Sequence, residues 1–111
     1  MKATIYTEDG KVCRKVECED VIPWNSVGMV ILKGPDIRTN QPVVVSGDND
    51  NLDWMLKGAV KFDLTLTIGS TQWKLKGAKC LIHYGNTKMV SFWHRGEWHT
   101  VVGQILVENL G

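Results

Sequence analysis

No apolar run in this 111-residue chain approaches the ~18 residues that a membrane-spanning helix requires. The first eight residues, Met-Lys-Ala-Thr-Ile-Tyr-Thr-Glu, contain no apolar signal region. Charge of either sign is not in excess: 13 basic residues meet 12 acidic ones, for a net charge of +1. That balance removes the strongly basic face of a duplex-DNA binder, although a local basic groove is compatible with it. Cysteine is scarce and odd in number: Cys13, Cys18 and Cys80 match no zinc-ligand spacing. A Cys13–Cys18 bridge would have to form across opposite faces of one strand. The expectation is therefore a cytoplasmic protein with reduced, mostly buried thiols and no membrane partner. Gly-rich phosphate loops, nucleophile elbows and paired-carboxylate motifs are missing, so the chain reads as a non-enzyme without a cofactor.

What the chain does have is period-two hydrophobicity. Val60, Phe62, Leu64, Leu66 and Ile68 alternate with Lys61, Asp63, Thr65 and Thr67. Gly69-Ser70 suits a two-residue type II′ turn, which would set Ile68 against Thr71, Leu66 against Trp73 and Leu64 against Leu75. One hairpin from Val60 to Leu75 follows, with a dry face and a wet face; Lys74 and Gln72 join the wet one. The alternation slips at Lys76-Gly77, which predicts a β-bulge there.

Similar signals recur along the chain. Asp9-Gly10 predicts a type I′ hairpin pairing Lys2 with Glu17, Thr4 with Lys15, Tyr6 with Cys13 and Glu8 with Lys11. Its other face holds Ala3, Ile5, Thr7, Val12, Arg14 and Val16. Pro23 ends that unit. Val27–Lys33 is an apolar run suited to a strand covered on both faces or meeting a partner. Gly34-Pro35-Asp36 is a turn, and Pro42 opens a short strand to Ser46. Residues 52–57 are the one helix candidate, capped by Asn51 or Asp50 and stopped by Gly58, with Trp54 packed on the sheet. Gly85-Asn86-Thr87 is a turn. Lys88–Trp93 and Trp98–Val102 form a third hairpin around a three-residue loop, His94-Arg95-Gly96, and Gln104–Val107 is a last strand. The predicted architecture is a single all-β domain over 1–111, an antiparallel β-sandwich or small barrel of sequential hairpins with at most one short helix at about 52–57.

Cys80 and His83 are three apart on a strand and point to opposite faces, which suits neither a metal site nor a thiol–imidazole pair. Asp48, Asp50 and Asp53 resemble a calcium loop only loosely, since Leu52 stands where the EF-hand glycine belongs. Turn and capping chemistry accounts for the same residues. The hairpin tip is richer: Trp93, His94, Arg95, Glu97, Trp98 and His99 gather the residue types that dominate interfaces. The third-hairpin register would turn Phe92 and Trp98 inward and Trp93 and Glu97 outward. Lys74, Lys76 and Lys79 form a basic stretch beside the bulge.

Together these residues point to a non-enzymatic structural module that docks on itself or on a larger protein assembly. Small bacteriophage virion components, such as capsid-decorating or tail subunits, are the class analogy, and a phage origin would place the protein in the virion. The alternatives are a barrel binding single-stranded nucleic acid through the lysines and an exposed ring, or a carbohydrate-binding module using Trp93, Trp98 or Tyr84.

Overall fold

The structure, a computed structural model, describes residues 1–24, 26, 28–85 and 88–109. Among these residues the chain forms eleven strands. The first six are β1 (Lys2–Tyr6), β2 (Val12–Glu17), β3 (Asp20–Trp24), β4 (Met29–Lys33), β5 (Ile37–Thr39) and β6 (Val43–Gly47). A 3-10 helix (Asp53–Leu56) precedes β7 (Phe62–Ile68), β8 (Thr71–His83), β9 (Met89–His94), β10 (Glu97–Val102) and β11 (Leu106–Asn109). Eight strands make one antiparallel sheet in the order β11-β7-β8-β9-β10-β6-β1-β2, and β3-β4-β5 make a second. The result is the expected all-β sandwich.

The large sheet folds over on itself. Leu64, Leu66 and Ala78 of β7 and β8 share a buried cluster with Phe92 and Val101 of β9 and β10. The Tyr6 ring meets Trp73 edge-on at 5.5 Å. The hydroxyl of Thr71 donates to the carbonyl of Asp9, joining the turn after β1 to the turn after β7. The opposite face of β1 and β6 is covered by the small sheet: Val30 and Leu32 pack with Ala3, Ile5, Val43, Val45 and Val102. Strand alternation explains the division, since Val43 and Val45 face one way and Val44 the other.

The central hairpin keeps its expected register, with Leu64, Leu66 and Ile68 opposite Leu75, Trp73 and Thr71. A register shift between Phe62 and Leu64 places the extra residue of β8 at the predicted bulge, where Gly77 has φ +76°. Two assignments change. Val60 is 80% exposed and lies before β7, so it is not part of the dry face. Thr65, assigned to the wet face, is buried, with Lys74 and Glu108 opposite it in the two flanking ladders.

The first hairpin pairs Lys2 with Glu17 and Thr4 with Lys15, but Tyr6 faces Val12 rather than Cys13. The turn is a three-residue loop: Thr7 N–H donates to the Lys11 carbonyl at 2.8 Å, and Gly10 takes φ +85°. Cys13 becomes the bulged residue, and Val12 and Arg14 are exposed. Of the thiols, Cys18 is buried, Cys80 half-buried and Cys13 exposed, and all three are free.

Pro23 does not end a unit but sits inside β3, opposite Val30. That strand is an edge, where a missing N–H costs no ladder bond. In β4, Val30 and Leu32 are buried and Met29 and Ile31 half-buried, so one face is fully covered; Val27 lies outside the described residues. So do Asn86 and Thr87 of the expected turn at 85–87. The helix candidate is one 3-10 turn without a side-chain cap, so neither Asn51 nor Asp50 caps it. Its Trp54 is 75% exposed and does not pack on the sheet.

Candidate functional site: the hairpin of β9 and β10

Arg95 and Gly96 alone form the turn, with φ +50° and +83°. Positive φ at both central residues is the type I′ geometry that matches strand twist. The expected three-residue loop is thereby corrected: His94 pairs with Glu97, Trp93 with Trp98 and Phe92 with His99. One residue of register exchanges partners across the faces. Trp93 and Trp98 share one face, and Phe92, His94, Glu97 and His99 share the other.

Phe92 and Trp98 are both buried, as expected, yet on opposite sides of the sheet. The Trp98 indole N–H donates to the Asp53 carboxylate at 2.9 Å, which anchors the 3-10 turn over this face. The Cys80 thiol, which burial pushes to a raised pKa, donates to the Met55 carbonyl at 3.2 Å and ties down the same turn. Cys80 has φ +58° at a second bulge, between Lys79 and Ile82, that the sequence pattern did not indicate. Trp93 is half-buried, with the Lys79 ammonium 5.3 Å from its ring centre. Arg95 and Glu97 are exposed at the tip. Lys74 and Lys76 are exposed and Lys79 half-buried, and the Lys76 carbonyl accepts from His94. Tyr84, half-buried, donates its hydroxyl hydrogen bond to Ser91 at 2.9 Å.

The two histidines face inward. His94 is 7% exposed, and its Nε2 lies 3.0 Å from the Lys76 carbonyl, so Nε2 carries the proton. His99 places Nε2 3.2 Å from the His94 carbonyl and Nδ1 2.7 Å from the Ser46 hydroxyl. Nε2–H therefore donates, and Nδ1 accepts from Ser46. Burial pushes the His99 pKa down, and the nearby His94 also lowers it; the bond to the His94 carbonyl and the Glu97 charge oppose the shift. Ser46 and His99 are direct ladder partners, so their contact is a cross-strand pair that locks β6 to β10.

Between the folded-over halves lies a cavity of about 160 Å³. Five aromatic or imidazole rings line it: Tyr6, Trp73, Phe92, His94 and His99. The sequence pattern puts His94 and His99 on a contact surface and Trp73 on the dry face of the central hairpin. Reading Arg95-Gly96 as the whole turn would have turned both histidines inward. Among the described residues no three His, Cys, Asp or Glu side chains converge as metal ligands would. Comparison with protein families, with curated proteins and with solved structures finds no match.

Proposed function

We propose that this chain is a non-enzymatic assembly module that docks on copies of itself or on a larger protein assembly. The observation that carries the reading is Trp54. It is 75% exposed at the tip of a turn that Asp53–Trp98 and Met55–Cys80 hold against the sheet. A large aromatic displayed on an anchored turn, outside the core, is the kind of residue that forms the energetic centre of protein interfaces. Strand edges add to it: β2 and β11 end the large sheet, β3 and β5 the small one. The nucleic-acid alternative has weaker support, because Lys79 already occupies one approach to the Trp93 ring.

Trp54→Ala tests the reading. Because the side chain is exposed, stability is expected to stay within about 0.5 kcal/mol of wild type. Association, measured by light scattering across a concentration series and by the native mass of the assembly, is expected to weaken at least tenfold. A wild-type chain that stays monomeric and co-purifies with no protein assembly overturns the proposal. Salt-sensitive binding to a single-stranded oligonucleotide would favour the alternative instead.

A further inference from the structure

The half-open cavity between the folded-over halves is lined by five rings, and two polar groups of its lining residues have no hydrogen-bond partner among the described residues. His94 commits Nε2–H to the Lys76 carbonyl, which leaves Nδ1 as the acceptor nitrogen of the neutral ring, without a hydrogen bond among the described residues. The Tyr6 hydroxyl likewise has no partner among them. His94 Nδ1 keeps some contact with solvent, so a ligand donor there replaces water, for the modest net gain of one exchanged hydrogen bond. The volume, about 160 Å³, is close to that of an engineered apolar cavity of about 150 Å³ known to hold benzene. The aliphatic walls, Val44, Leu66, Ile68 and Leu75, together with the rings of Trp73 and Phe92, suit an apolar ring.

We infer that this cavity binds a small single-ring aromatic carrying one hydrogen-bond donor, of the phenol class. The ring fills the space lined by Trp73, Phe92 and the aliphatic walls. Its hydroxyl donates to His94 Nδ1, and the Tyr6 hydroxyl is the second polar group available to it. Tyr6 and Trp73, both half-buried, line the cavity in edge-to-face contact with each other. This site is separate from the Trp54 surface, so its failure would leave the assembly reading untouched.

The test uses the full chain titrated with phenol and with toluene, its near-isostere without the donor, followed by calorimetry and by ¹⁵N NMR of the imidazoles. Phenol is expected to saturate one site about tenfold more tightly than toluene, the worth of one net hydrogen bond. The His94 Nδ1 resonance is expected to move on titration with phenol and to stay in place with toluene. Val44→Phe, which fills the cavity from a half-buried position, is expected to abolish both titrations. Equal affinity for phenol and toluene, an unmoved Nδ1 resonance, or phenol binding that survives Val44→Phe would each overturn the inference. So would an absence of saturable binding, which would mean that the cavity holds water or stays empty.

Discussion

His99 concentrates the residue-scale physics of this molecule. Both ring nitrogens are engaged, one to the His94 carbonyl and one to Ser46, and the ring stacks on Phe92 at 5.3 Å. Burial outweighs the two influences that favour the charged form, so its pKa lies below the ordinary value. The unfolded chain then takes up the proton at a higher pH than the folded one. Above the ordinary imidazole value of about 6.5 the contribution to stability is whole, and it is lost as pH falls through the folded pKa. Urea midpoints at about pH 7.5 and pH 5.5 are expected to show a drop for wild type that shrinks in His99→Phe. The variant loses the Ser46 bond at both pH values, so only the difference between them reports the titration. An equal drop in both proteins would contradict the assignment.

At the scale of elements, hairpin turns decide what the sequence discloses. The β7–β8 register was legible because apolar alternation on both strands and Gly69 agree on one pairing. The β9–β10 register was not, because Arg95 adopts a positive φ that its residue type does not advertise. Cys80 conceals the second bulge in the same way. The exposure of Trp54 and the Asp53 partner of Trp98 depended on where a loop lands across the sheet, which local pattern does not encode. A contrast between two turn glycines tests how tightly the halves are closed. Gly69 has φ +58°, and a Cβ there would overlap the Glu8 carbonyl oxygen, on the turn of the first hairpin. Gly96 also has positive φ, +83°, but a Cβ there meets nothing within 4 Å. Gly96→Ala is therefore expected to cost about 1 kcal/mol, the strain of the left-handed backbone alone. Gly69→Ala is expected to cost about 3 kcal/mol, because backbone must also move. Thermal or urea unfolding of the two variants checks the ratio; equal losses would mean that the touching turns contribute little.

Over the whole molecule, the middle strands β6 and β10 serve two cores at once, one on each face, and β1 adds Tyr6 against Trp73 to the contacts of its Ala3 and Ile5. The two coverings are attached differently. β7 and β8 are hydrogen-bonded into the same sheet as the strands they cover, through the run β8-β9-β10-β6-β1. The small sheet has its own ladders, β3-β4 and β4-β5, and is seated chiefly through side chains such as Val30 and Leu32, with Val21 and Ile37 packed beside them. A layer seated mainly by apolar burial is the part expected to open first and as a unit. Leu32 is fully buried at the centre of that seat, so Leu32→Ala is expected to cost about 3 kcal/mol. The loss should be local: amide exchange should accelerate in β3, β4 and β5 at denaturant levels where β8 and β9 keep their protection. Phe92→Ala, expected to cost a similar ~3–5 kcal/mol, removes a side chain from the cluster inside the folded large sheet and should accelerate exchange through that sheet instead. If Leu32→Ala raised exchange equally in both sheets, the two layers would be one cooperative unit, and the seat of the small sheet would be as much a part of the global fold as the ladder is.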